Sequence, residues 1–199
     1  MVDVRRGADG NERLTAASGA ALFLLLAAEG VTILSIRQLL SPHVFIGMLL
    51  VPPVALKLAS TGWRFLRYYT GASEYRIKGP PLLPLRLLAP VVVSSTVALF
   101  ATGIALLALG PGRGHGVVLG LHKASFVVWL VATGIHVLAY LRRVPRLTTA
   151  DWRAGAGGVD GSLARRALLA ATLVAGAILA VATVRYAGPW THSPVAGDN

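Results

Sequence analysis

The chain contains no cysteine, which excludes disulfides, thiolate metal sites, c-type haem attachment and iron–sulfur clusters within it. Any buried metal chemistry must therefore fall to histidine, of which there are five. Charge is also scarce. Only 14% of the 199 residues are Asp, Glu, Lys or Arg, against about a quarter in soluble domains. No phosphate loop, dinucleotide fingerprint or protease triad can be read in it, and no long internal repeat. With no nucleophile–base set in view, an enzyme acting alone is the least favoured class.

What the chain has in quantity is apolar residues, 55% of the total, and they are clustered. Leu87–Leu109 carries no charge and is long enough to cross a hydrocarbon core that needs about 20 helical residues. Five such segments predict an all-α integral membrane protein with five transmembrane helices, over residues 14–36, 42–60, 87–109, 117–141 and 167–184. They form one transmembrane domain over 14–186, between an N-terminal tail (1–13) and a C-terminal tail (187–199). Ser41-Pro42 predicts the start of the second helix, as a cap followed by a first-turn proline. Pro52-Pro53 predicts a kink in its middle. GPGRGHG (110–116) reads as a tight turn and TADWRAGAGGVDGS (149–162) as a polar connector. YRIKGPPLLPLR (75–86) is expected along the membrane surface. Asp3, Asp9 and Glu12 speak against a cleaved signal peptide.

The formal net charge is +11, which in a soluble protein would point to nucleic acid. Its distribution points to topology instead. Arg5, Arg6, Arg13, Arg64, Arg67, Arg76, Lys78, Arg86, Arg142, Arg143, Arg146, Arg153, Arg165 and Arg166 all fall on one side of the predicted spans. Arg37, Arg113, Lys123 and Arg185 fall on the other, and Lys57 lies within the second span. The excess of cytoplasmic Lys and Arg in membrane proteins predicts the N-terminus inside and the C-terminus outside. The expected partners are then membrane lipid, with attraction to anionic headgroups, and no nucleic acid; the expected location is a cell membrane of the bacterial inner-membrane type. Trp63, Tyr68, Tyr69 and Trp190 fall near span ends, as interfacial aromatics do.

His115 and His192 read as solvated loop residues. His43, His122 and His136 lie in spans, where ionisable groups are rare and mostly functional. His122 and His136 are fourteen residues apart, an offset of about 40° and a rise of about 21 Å, so they share one face at opposite depths. Spans two and four both run from outside to inside. His43 and His122 each begin one of them, which puts them at similar depth near the outer face. Two neutral imidazoles facing each other from separate helices are what a six-coordinate b-type haem needs on its two axial sides. Arg37, Arg113 and Lys123 are predicted at the outer rim, where haem propionates need cations.

The pattern resembles the membrane cytochromes b of respiratory chains and the b subunits of bacterial hydrogenases. In these the second and fourth helices each carry two histidines about fourteen residues apart, and each cross-helix pair ligates one haem. His122 and His136 match on span four and His43 matches on span two, but fourteen residues after His43 stands Lys57. The resemblance covers spans one to four. It implies a cytochrome b-type helical bundle with His43 and His122 as iron ligands, Gly30 and Gly103 as small residues that let the macrocycle pass, and one haem b. His136 is a candidate ligand of a second haem, but it lacks its usual partner; the competing reading, slightly favoured, is an interhelical hydrogen bond, and Lys57, which as a neutral amine could ligate iron, reads rather as a side chain that snorkels to the inner surface. The implied role is one-electron transfer between a quinone and a redox partner, with substrate chemistry on an oxidoreductase partner subunit. Glu29, the one acid inside a span, reads either as a proton or quinone site or as a partner for Arg37. Trp129 carries no argument beyond packing. A haem-free scaffold or assembly subunit, or a small transporter, is the alternative class; it would tolerate loss of His43 and His122.

Overall fold

Long apolar runs bounded by glycine and charge have one stable form in hydrocarbon, because only a helix satisfies every backbone hydrogen bond within the segment. The structure, a computed structural model, describes residues 6–80, 82–112, 114–141 and 161–191. The long helices are α1 (Arg6–Leu34), α2 (Ile36–Tyr69), α4 (Leu83–Leu109), α5 (His115–Tyr140) and α6 (Ser162–Thr183). A short helix, α3 (Ser73–Lys78), lies between α2 and α4; after α6 come a 3-10 turn (Val184–Ala187) and the single turn α7 (Gly188–Thr191). No strand occurs among the described residues, and the five long helices are long and apolar enough to cross a membrane. Most of their large apolar side chains point outward, Leu24, Val117 and Leu138 among them, as lipid-facing surfaces do.

Helix ends depart from the sequence expectation where polar residues continue a helix beyond its apolar core. α1 begins at Arg6 and not near residue 14, and α2 runs to Tyr69 and not to residue 60. The added stretch of α2 carries Trp63 under the Arg67 guanidinium, 5.7 Å from the ring centroid. α1 and α2 are separated by Ser35 alone, so the start predicted at Ser41-Pro42 lies inside α2. The break comes instead at Leu39, whose φ of −107° and ψ of 19° leave the helical region. Through Pro52-Pro53, where a kink is expected, the backbone keeps helical torsions. The proline-rich connector is partly helical: α3 buries Tyr75, and Lys78 pairs with both Asp9 and Glu12 at the start of α1. Gly110 and Gly114, at the ends of the turn between α4 and α5, have φ of 67° and 96°, values that side-chain-bearing residues rarely adopt.

α2 is the centre of the bundle, with α1 packed antiparallel on one side and α6 on another. α4 and α5 form a second antiparallel pair, which meets the rest through contacts of α4 with α2 and with the 3-10 turn. His115 at the start of α5 also stacks edge-on against Trp190 of α7, 5.4 Å between ring centroids. α2 and α5 do not pack directly along their length.

The α2–α6 contact has a specific chemical origin. Proline has no N–H, so Pro53 leaves the carbonyl of Leu49 without its helical partner. Gly176 of α6 lies against that carbonyl, where a Cβ would overlap the oxygen and crowd the Leu49 carbonyl carbon at 3.1 Å. Close approach through glycine is a common way for membrane helices to pack without a hydrophobic driving force. Gly176→Ala is expected to lower the unfolding free energy in detergent micelles by about 1–3 kcal/mol, the usual cost of overpacking a rigid contact. Gly120→Ala, with nothing within 4 Å of its added methyl, should leave it unchanged or slightly raised.

Candidate functional site

A polar side chain in hydrocarbon must find its partner on a neighbouring helix or pay for its isolation. His43 finds it on α1. Its Nδ1 lies 3.0 Å from Glu29 Oε1 and 3.0 Å from Thr32 Oγ1. The Thr32 hydroxyl already donates to the backbone carbonyl of Glu29 at 2.6 Å, so towards the imidazole it accepts. Nδ1 therefore carries the proton and donates to hydroxyl and carboxyl. The Glu29 carboxyl lies against α2 at Gly47, where a Cβ would stand in ordinary contact, 3.4 Å from Oε1. The carboxyl is committed to His43 and Thr32, with a side chain only 13% exposed.

His122 repeats this arrangement on the other helix pair. Its Nδ1 lies 3.1 Å from the Leu99 carbonyl and 3.1 Å from Thr102 Oγ1, both on α4. A carbonyl can only accept, so Nδ1 is again the protonated nitrogen. The Thr102 hydroxyl donates to the carbonyls of Ala98 and Leu99, at 2.7 and 3.0 Å, and accepts from the ring. Gly103 admits the imidazole to this place, since a Cβ there would come within 3.2 Å of His122 Cε1.

Both rings thus have a fixed tautomer. Each is held through Nδ1 by the other helix of its own pair, which in the neutral ring leaves the lone pair on Nε2. Neither Nε2 has a hydrogen-bond partner among the described residues. The two imidazoles belong to helices that do not pack on each other. The same second-shell bond to the far ring nitrogen, from a carbonyl, carboxylate or water, orients most metal-ligating histidines. Among the described residues no group of three or more His, Cys, Asp or Glu could hold a metal. A metal bound at this pair would have to bring its remaining ligands with it, as a macrocycle does.

The other predicted site residues are distributed as follows. Lys123 is exposed next to His122, and Arg37 is exposed at the same end of the bundle. Arg113 lies outside the described residues, as does His192. Gly30 is exposed, with nothing within 4 Å of where its Cβ would be. His136 is near the opposite end of α5, its ring 5.0 Å from that of Tyr140 and within Coulombic range of Lys57. Lys57 does not snorkel to the surface. Its ammonium donates to the Thr15 carbonyl on α1 at 2.6 Å, beside a small polar layer in which Asn11 donates to the Ser60 carbonyl and Thr15 to the Ser60 hydroxyl. Trp129 does more than pack: its Nε1–H donates to Thr96 Oγ1 at 3.1 Å. Thr32, Leu99 and Thr102 escaped the sequence reading. The only trace they leave there is a hydroxyl within an apolar run, for two of the three.

Comparison with protein-family models, with curated proteins and with solved structures gives no match.

The ring of His122 has little freedom against α4. Gly103→Val is expected to displace it, changing the side-chain 15N shifts of His122 by NMR and lowering stability by about 1–3 kcal/mol. Gly30→Ala, made in open space, should do neither.

Proposed function

We propose that the chain is a b-type haem-binding membrane protein, with one haem held between α2 and α5 by Nε2 of His43 and Nε2 of His122. The observation that carries this reading is the matched pair of imidazoles, each anchored through Nδ1 and each with no partner for Nε2 among the described residues. A bound haem would supply a one-electron redox centre. The chain supplies everything around it. Its apolar helices exclude water, Glu29 and Thr32 orient one ligand, and Leu99 and Thr102 orient the other. Arg37 and Lys123 would furnish cations for propionates at that end, and the sequence between α4 and α5 adds Arg113. Gly103 keeps bulk away from the His122 ring.

One haem fits these residues better than two. The position that would pair with His136 is Lys57, and its ammonium is spent on the Thr15 carbonyl. Proton-free Lys nitrogen is an iron ligand; an ammonium that donates to a carbonyl is not. His136 is then an interhelical polar group of modest worth.

The uneven distribution of Lys and Arg supports a cytoplasmic N-terminus and a haem near the extracytoplasmic face of a cell membrane. Electrons pass at that level between a quinone and a redox partner, and the substrate chemistry belongs to a partner subunit of an oxidoreductase.

The test is a dithionite-reduced minus oxidised visible spectrum of the purified protein and three variants. The wild-type chain and His136→Ala should show a sharp b-type α-band, and His43→Ala and His122→Ala should lose it. An unchanged band in both of the latter, or none in wild-type protein from cells supplied with haem, refutes the assignment and favours the scaffold or transporter class.

A further inference from the structure

The two anchors differ in charge. His122 is held by a backbone carbonyl and a hydroxyl, both neutral. His43 is held by a hydroxyl and the one carboxyl within an apolar span. A carboxyl at membrane depth is costly, so its presence needs a reason. Glu29 is engaged with no described basic side chain; its contacts are Nδ1 of His43 at 3.0 Å and the Thr32 hydroxyl, 3.4 Å from Oε2. It lies against α2 beside Gly47. Orientation alone does not require a carboxyl, because α4 orients His122 without any charge.

We infer that Glu29 is a positioning residue that lowers the reduction potential of the haem by making His43 the more electron-donating of its two ligands. The inference rests on the haem reading above and deepens it. A carboxyl oxygen accepting from Nδ1–H draws that proton away from the ring and raises the basicity of Nε2. A more basic axial nitrogen stabilises the higher charge of ferric iron over ferrous, which shifts the couple to lower potential; second-shell hydrogen bonding is one of the recognised means by which a protein sets haem potential. The two sides of the site are therefore electronically unequal although their geometry is alike.

Glu29→Gln separates charge from shape, since an amide oxygen can still accept from Nδ1–H. Glu29→Ala removes both. The measurement is an optical redox titration of each purified protein at one fixed pH, with the low-temperature EPR spectrum of the oxidised form. The expected result is a more positive midpoint for Glu29→Gln, a midpoint at least as positive for Glu29→Ala, and altered low-spin g-values in both, with the b-type band retained in Glu29→Gln. A Glu29→Gln protein that keeps its haem at the wild-type midpoint overturns the inference and leaves the haem reading standing. A wild-type protein without haem overturns both. If Glu29→Ala loses the haem, the Glu29→Gln midpoint alone decides.

Discussion

The hydrogen bonds from Nδ1 of His43 to α1 and from Nδ1 of His122 to α4 set the terms for the rest of this site. An imidazole that donates through Nδ1 must be unprotonated at Nε2 when neutral, so these bonds determine both which nitrogen is available and where it points. Their energies are small, about 0.6–2 kcal/mol each for polar contacts between membrane helices, and the bundle does not stand or fall by them. What they contribute is preorganisation. A ligand nitrogen that is already oriented loses little entropy on binding, and a ring bonded at one nitrogen is not free to turn the wrong atom toward a guest.

The helix arrangement serves this pair. α1 is joined to α2, and α4 to α5, by short antiparallel turns, so each histidine is gripped by its own sequence neighbour. The central position of α2 depends on a different device, the Leu49 carbonyl freed by Pro53 and met by Gly176 of α6. That contact occupies one side of α2 and α1 occupies another, while the α4–α5 pair meets α2 through α4. At the other end of the bundle the same α1–α2 pair closes around Lys57 through Thr15, Asn11 and Ser60. His43 and Lys57 of α2 are thus both held by α1, the first at one end through Glu29 and Thr32 and the second at the other through the Thr15 carbonyl.

The five spans were legible because hydropathy and charge clustering report directly on which residues tolerate hydrocarbon. Their ends were less so. The run Thr61–Tyr69 is polar and aromatic, and it says where the apolar core stops without saying that the helix continues. Span direction and depth, which sequence alone provides, led to the expectation that His43 and His122 lie at similar depth. Their partners did not follow, because periodicity within a helix carries no information on its register against a neighbour. Glu29 read as a relay or as a partner of Arg37, and it is found on His43. Lys57 read as a snorkelling side chain, and it bonds to a backbone carbonyl, a group that no residue type announces. Leu99, for the same reason, could not have been singled out.

The central claim is that two imidazoles, and no other protein group, complete one metal centre in this chain. The most direct test is the low-temperature EPR spectrum of the oxidised purified protein, with bound haem quantified per chain on the same sample. The account predicts one haem per chain and a single low-spin ferric species of bis-imidazole type. A high-spin species, two distinct low-spin centres, or a protein with no haem at all would contradict it.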